Sequence, residues 1–450
     1  MPAATTTIIH GGAVILADRV AFAHDVVISG GRISAIEPTR PRPSSAALEL
    51  IDAAGCYVAP GLIDIHSDYI ETVASPRPSV VMDLQAALYE ADRSLISQGI
   101  TTIYHSLSVY QVLIFDHKPI RRFENVSRLI EHVSKLRKTE TVDHLIRHRL
   151  HMRVELDAVD LLNDIENLLV SDKVDLISFM DHTPGQGQYS DLEVFSQTVK
   201  SYRDDLTEDE VRAIVQRHQE AAKFGPGEIC RLSRLAKENG IAIASHDDDC
   251  AEALEFIWKL GASISEFPVS LEVARNAREL GMHTIAGAPN VLLGYSHSGN
   301  LSARESVSAG VTSILCSDYY PAALLRAVFE LHRSCGIDLA AAFALATINP
   351  ARAVGIDGDF GEIAEGKRAD ILLIRELAAD TADAADVADT TDAADAADAA
   401  DAPSQEARPA SPASPGKTSL PVVEEVLIEG CSVFKTRYPH IAKIRLKASR

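Results

Sequence analysis

A set of side chains that can ligate a divalent cation or move a proton recurs at the ends of apolar runs in this sequence. His66 and Asp68 follow Gly61-Leu62-Ile63-Asp64-Ile65. In a β-strand, residues i and i+2 share a face, so an imidazole and a carboxylate would project together from this strand end. Glu155 closes LHMRVE, His182 closes VDLISFMDH, His246 closes IAIASH and Asp318 closes VTSILCSD. A hydrolytic metal centre needs neutral imidazoles and carboxylates as ligands, an open position for water, and a base to take a proton. The expected metal set is His66, Asp68, Glu155, His182, His246 and Asp318, with Glu155 able to bridge two ions. Asp318 is the expected base, with His246 beside it in the catalytic zone. Taken singly, each residue reads more readily as a polar strand end satisfied by hydrogen bonds. Their recurrence at one kind of position is what points to a site.

Other residues nearby have less specific signals. Asp247, Asp248 and Asp249 follow His246. Alternation of side chains lets only one or two of them face a centre, where they would orient ligands as carboxylates behind a metal do. Glu71, Asp181 and Glu266 are left open between ligand, substrate contact and structural partner. Two loops look suited to anions: Thr183 to Gln188, which includes Gln186, and Gly294 to Asn300, which includes Ser296, His297, Ser298 and Asn300. The second runs into Ser302-Ala303-Arg304-Glu305, a capping-box pattern that would open a helix and offer free N–H groups. Arg77 and Arg304 are candidate guanidinium contacts to phosphate. The plainer alternatives are a tight connection with a cap, and surface ion pairs.

These positions require a particular scaffold. From residue 60 to about 358, short apolar strands alternate with longer helical patterns, which implies β-α units and a parallel sheet or barrel. Eight strand ends are legible: His66, His105, Glu155, His182, His246, Glu266, Gly287 and Asp318. Eight units over this length predict a TIM-type (β/α)8 barrel, in which the C-terminal strand ends form the active face. A basic, helical-looking insertion is expected over 118–148. A doubly wound open sheet is the alternative, weakened by the absence of G-x-G-x-x-G after a first strand. Residues 1–59 and 359–450 carry short apolar runs with glycine turns, expected as antiparallel strands forming one small β-sandwich domain beside the 60–358 barrel domain. Within the second stretch, 377–418 is an Asp/Ala repeat followed by Pro/Ser-rich sequence, expected to be a disordered insert without chemistry.

Composition narrows the class. The 450 residues carry a net charge of −21, which argues against a nucleic-acid or membrane-surface binder. The eight aspartates recurring at every third position from Asp380 to Asp401 do not account for this, since −13 would remain without them. No apolar run is long enough to span a bilayer, and the N-terminus lacks the basic region of a signal peptide. Six scattered cysteines without a C-x-x-C pair fit reduced thiols in a cytoplasmic protein. A homo-oligomer is left open.

The run APGLIDIH, the strand-eight aspartate and the late stretch Asn349-Pro350-Ala351-Arg352 through Asp370 resemble the amidohydrolase superfamily. Within it, DHTPGQGQ, SHDDD, ISEFPV, GAPNVLLGYSHSGNLSARE and SDYYP resemble the PhnM-type branch, over residues 1 to about 374 and again from about 420. The resemblance implies a metal-bearing barrel on a β-sandwich built from both chain ends. It implies a diphosphatase that releases pyrophosphate from α-D-ribose 1-methylphosphonate 5-triphosphate on the carbon–phosphorus lyase route. The implied cofactor is one or two Zn2+ ions, with Mn2+ or Fe2+ as alternatives. Most members of the superfamily carry H-x-H on strand one and often a carboxylated lysine on strand four. This chain has H-x-D, and VDLISFMDH contains no lysine. The rival expectations are an amidohydrolase acting on a C–N bond, and a non-catalytic scaffold of the same fold.

Overall fold

The computed structural model describes residues 6–41, 48–77, 79–110, 119–139, 143–185, 206–295, 301–378 and 419–436, with a few positions between 192 and 200. The chain opens with strands β1 (Thr6–Ile15), β2 (Val20–Ser29), β3 (Arg32–Pro38), β4 (Leu48–Asp52) and β5 (Tyr57–Pro60). The pairs β1–β2 and β2–β3 are antiparallel, as expected. The pairs β1–β4 and β1–β5 are parallel, which the sequence did not suggest. β1 changes partner at Gly11-Gly12, where its register shifts. Gly11 has φ +73°, and a Cβ on Gly12 would lie 2.4 Å from a Val58 methyl, so the crossing of β1 and β5 requires glycine there.

Asp25 fixes this bulge. Its Oδ1 accepts from Gly11 N at 2.9 Å and Thr39 Oγ1 at 2.8 Å, and its Oδ2 lies 3.1 Å from His10 Nδ1. Burial works to raise the Asp25 carboxyl, but the Gly11, Thr39 and His10 contacts prevail and hold it below its ordinary value of 3.8. Asp25→Ala is expected to cost roughly 1–3 kcal/mol at neutral pH by leaving those donors unpaired. A depressed carboxylate stabilises the fold above its unfolded pKa and loses that contribution as pH falls through the folded value. The difference in urea midpoint between wild type and variant should therefore be full at pH 7 and shrink below pH 3.8.

Eight parallel strands follow: β6 (Leu62–Ser67), β7 (Ile100–Val109), β8 (Arg147–Glu155), β9 (Leu176–Met180), β10 (Ala242–His246), β11 (Ile264–Glu266), β12 (His283–Gly287) and β13 (Ile314–Cys316). They pair in chain order. The two edges meet where Asp68 N donates to Asp318 O at 2.8 Å and Asp318 N to His66 O at 3.2 Å. The sheet closes, giving the expected TIM-type barrel. Leu150, Met152 and Val154 of β8 belong to the core shared with the surrounding helices, including Leu88 and Leu95 of the helix Leu84–Ser97. Ile63, Ile65, Tyr104, Leu176, Ala244 and Ile314 fill the barrel interior.

Three expectations change here. The 118–148 segment is not an insertion. It supplies the helix Phe123–Thr139 between β7 and β8, and His148 already lies in β8. His105 is not a strand end, because β7 continues to Val109; its Nε2 lies 2.9 Å from His148 Nδ1, and His148 Nε2 lies 3.2 Å from Asp92 on the helix Leu84–Ser97. The third concerns the remaining strands, β14 (Ile371–Ala378), β15 (Ser419–Ile428) and β16 (Cys431–Lys435). They join β5 to give one mixed sheet of eight strands, ordered β16-β15-β14-β5-β1-β2-β3 with β4 on β1. β14 runs through Leu377 and Ala378, and the rest of the 377–418 insert lies outside the described residues.

Gly61 joins sheet to barrel. Its N donates to Asp370 O, and a Cβ there would lie 2.2 Å from Thr101 Oγ1. No described helix is long and apolar enough to cross a membrane.

Candidate active site

The C-terminal ends of β6, β8, β10 and β13 open into one pocket, lined among others by His66, Asp68, Arg153, His246, Asp247 and Asp318. A register shift in β6 between Asp64 and Ser67 accompanies the delivery of His66 to this face. Asp247, Phe267 and Asp318 have φ of 53°, 53° and 56°. Each directly follows, or lies within two residues of, a barrel strand end, and these left-handed residues store backbone strain around the pocket.

Three imidazoles are each held from Nδ1 by a carboxylate. Glu266 takes His66 Nδ1 on Oε1 at 2.9 Å and His246 Nδ1 on Oε2 at 3.1 Å. Glu155 takes His182 Nδ1. An imidazole that donates from Nδ1 keeps a lone pair on Nε2, which is the state a metal ligand needs. His182 Nε2 and His246 Nε2 lie 3.2 and 3.5 Å from Asp247 Oδ2. That buried oxygen has no well-aligned hydrogen-bond donor. The ligand atoms of His182, His246 and Asp247 lie within 4.8 Å of one another. An orphaned buried carboxylate oxygen facing two imidazole nitrogens fits a divalent cation, and the mixed N/O donor set suits zinc, manganese or iron.

The electrostatics agree with a cation-seeking site. Burial, and secondarily Arg153, pushes His66 down to about 3 and His246 well below its usual range. Burial opposes charge on His182 too, but Glu155 and Asp247 raise it to about 10. Burial and the neighbouring Asp68 carboxylate push Asp318 up to about 7. Burial also raises Glu266, to about 6. A divalent ion in the pocket would lower the carboxyl values and take the place of the His182 proton. Beneath the pocket, Asp64 Oδ1 accepts from Ser317 N at 3.1 Å and so ties β6 to the backbone preceding Asp318.

The structure brings His66, Asp68, His182, His246, Asp247 and Asp318 together. It places Glu155 behind His182, not between two sets of ligands where a bridging carboxylate would stand. Asp68 occupies the N-cap position of the helix Tyr69–Ala74 without a side-chain cap bond and faces Arg153; among the described residues it joins neither the His182, His246 and Asp247 group nor a second group of converging ligand atoms, His66, His151 and Glu266. Glu266 is the carboxylate that orients His66 and His246. Asp248 is buried and accepts from Ser245 and Ser265, fastening β10 to β11. Asp181 holds Lys223 at 3.0 Å and Thr183, while Glu71 accepts from Arg121 Nε at 2.7 Å. Asp249 is exposed.

The expected anion-binding elements fare differently. Gln186, Ser296, His297, Ser298 and Asn300 lie outside the described residues. Arg304 is turned away from the substrate role: its guanidinium donates to Val291 O and Leu292 O at the end of the helix Ala288–Leu293, and to Glu330 at 3.1 Å. A cation there satisfies orphan carbonyls at a helix C-terminus. Ser302 occupies the N-cap position of the helix Ala303–Ser308 but makes no side-chain cap bond, so the capping box does not form. Arg77 is exposed in a turn and is not among the residues lining the pocket.

Two buried residues of β8 escaped the sequence reading. His151 lies 2.9 Å from Ser178 Oγ, 3.1 Å from Ser106 Oγ and 3.7 Å from Glu266. Arg153 lines the pocket. The signal was present in LHMRVE, because period two puts His151, Arg153 and Glu155 on the face opposite Leu150, Met152 and Val154.

Comparison with known proteins agrees with this geometry. Residues 197–395 match the amidohydrolase family. The chain is 34% identical over 353 residues to the alpha-D-ribose 1-methylphosphonate 5-triphosphate diphosphatase of Escherichia coli, covering 77% of this chain and 89% of that protein. It is 27% identical over 164 residues to an imidazolonepropionase of Symbiobacterium thermophilum, covering 34% and 38%. Among solved structures, A. niger ochratoxinase superimposes with a TM-score of 0.59 at 14% identity, each chain covered to 96%. N-acetylglucosamine-6-phosphate deacetylase from Pasteurella multocida gives 0.52 at 13% identity, over 82% of this chain and 95% of that one. These two likenesses speak for the fold alone. The chain belongs to the amidohydrolase superfamily, as a hydrolase of the branch that contains the E. coli diphosphatase.

Proposed function

We propose that this protein is a metal-dependent diphosphatase that hydrolyses α-D-ribose 1-methylphosphonate 5-triphosphate to the 5-phosphate and pyrophosphate, in cytoplasmic phosphonate breakdown by the carbon–phosphorus lyase route. Similarity to the E. coli enzyme supplies the substrate. The observation that carries the reading is a buried guanidinium, Arg153, placed beside a cluster of carboxylate-held imidazoles in one pocket. That pairing suits a polyanion attacked by water.

His182, His246 and Asp247 would hold the cation, with His66 and Asp318 beside them. A divalent ion bound there would polarise a phosphoryl oxygen and acidify the attacking water. Asp318, which lines the same pocket, then accepts a proton from that water. The water oxygen forms a bond to phosphorus as one bridging P–O bond breaks, and pyrophosphate departs. Arg153 neutralises charge on the non-bridging oxygens. Phosphoryl transfer depends mainly on such positioning and charge stabilisation.

A C–N hydrolase is the rival reading, and the short match to imidazolonepropionase belongs to it. That match covers 34% of this chain and 38% of that protein, against 77% and 89% for the diphosphatase. A scaffold without activity would not need three imidazoles aligned by carboxylates. Phosphorus NMR of the products from the ribose phosphonate triphosphate, run beside ATP and a cyclic amide, tests the reading. Pyrophosphate released from the first substrate supports it, and ring opening of the amide with the triphosphate left intact rejects it.

A further inference from the structure

Asp68 is the residue expected as a second metal ligand on strand one, yet the pocket gives it another partner. Arg153 Nη1 lies 3.1 and 3.2 Å from the two Asp68 oxygens, and Nη2 lies 3.3 Å from His246 Nε2. The guanidinium therefore spans Asp68 and a ligand histidine. It is 10% exposed and lines the pocket. Its Nε packs 3.1 Å from Met180 Sδ, which fixes the plane of the fork. A second, half-buried cation, Arg121, is paired with Glu71 at 2.7 Å and is close enough to Asp68 to share its field. A carboxylate bonded to one guanidinium and in the field of another has its charge already compensated. Two groups of ligand atoms converge among the described residues, His182 with His246 and Asp247, and His66 with His151 and Glu266; Asp68 belongs to neither, and in the second group Glu266 is already engaged by the Nδ1 atoms of His66 and His246.

We propose that Asp68 is the tether of Arg153 and not a metal ligand, and that the Arg153 guanidinium grips the oligophosphate where a second metal ion would stand in a two-metal site. The centre then works with one divalent ion. A two-metal hydrolase clamps attacking and leaving oxygens between ions roughly 3.5–4 Å apart. Here a fixed planar fork takes one of those places, and its geometry matches two phosphoryl oxygens. Asp68 acts through Arg153 as a positioning residue. Arg153 touches the substrate. The proposal rests on the oligophosphate reading above for the identity of the ligand, but its metal count does not.

The test combines elemental analysis with calorimetric binding of inorganic pyrophosphate to the metal-loaded full-length protein. Wild type is expected to hold one equivalent of metal per chain. Asp68→Asn and Arg153→Met should keep that equivalent, while His182→Ala should lose it. Arg153→Met is expected to weaken pyrophosphate binding about 10- to 100-fold, the loss of charged hydrogen bonds. Free guanidinium ion should restore part of the turnover of Arg153→Ala, a rescue that a structural role would not give. Should Arg153→Met fail to fold because Asp68 is left unpaired, the Asp68→Asn/Arg153→Met double variant removes both charges and should show the same metal count and the same weakened binding. Two equivalents in wild type with one lost in Asp68→Asn would overturn the proposal, as would unchanged pyrophosphate affinity in Arg153→Met or in the double variant. If wild type ignores the ribose phosphonate triphosphate, the functional reading fails, while metal count and pyrophosphate affinity still decide the roles of Asp68 and Arg153.

Discussion

Glu266→Gln is expected to lower affinity for the divalent ion by about 10- to 100-fold, the range found when a carboxylate behind a metal-binding histidine is lost. The upper end is expected here because one carboxylate serves two rings. Oε1 and Oε2 each accept from a different Nδ1, those of His66 and His246. A glutamine keeps the shape but turns one acceptor into an N–H donor. That donor would face a ring N–H, and one imidazole must rotate or change tautomer, which removes its Nε2 lone pair from the pocket. Competition with a chelating dye measures the effect. Turnover should recover in part as metal is raised to saturation, since the ligands themselves remain. Unchanged affinity would show that Glu266 does not orient the two histidines.

Asp318→Asn carries the second large effect, a fall in turnover of about 100- to 10,000-fold, the usual contribution of a positioned base. Asparagine is the variant to use for a backbone reason. Residue 318 has φ +56°, and asparagine tolerates this region better than other substitutes. The backbone of residue 318 also closes the barrel, through its bonds with Asp68 and His66, and this substitution leaves that closure in place. Metal content should stay near that of wild type, because the converging cluster is supplied by β10 and His182. A variant that keeps both metal and turnover would remove Asp318 from the role of base.

Much of this candidate site was legible because barrel geometry places residues at, or within two positions of, a strand's C-terminal end on one face. His66, His182, His246 and Asp318 were found by that rule, and Asp247 by following His246. Glu155 was found but given the wrong task. Its type and position suit a bridge, and only the third dimension shows that His182 turns back to cover it. Arg153 and His151 were legible by strand period, on the face of β8 that Glu155 shares. Arg304 was misread for a different reason. A capping-box pattern is local, whereas the partners of this arginine are a helix terminus before it in the chain and Glu330 after it. The parallel pairing of β1 with β4 and β5 was hidden for a similar reason. The apolar runs of these strands reveal that they pair, but partner and direction depend on a bulge at Gly11-Gly12.

Asp68 concentrates what sequence and structure each contribute. In the sequence it is the departure from two histidines on strand one. In the structure that departure has a counterpart two strands away, because an arginine on β8 meets the carboxylate that replaces the second imidazole.

The most direct test is pyrophosphate release from the ribose phosphonate triphosphate by protein stripped of metal, followed as a divalent ion is titrated back. The account predicts no turnover in the stripped protein and activity that rises in proportion to bound metal and reaches its plateau at the first equivalent per chain. Full turnover in the presence of a chelator, with no bound metal detectable, would contradict it.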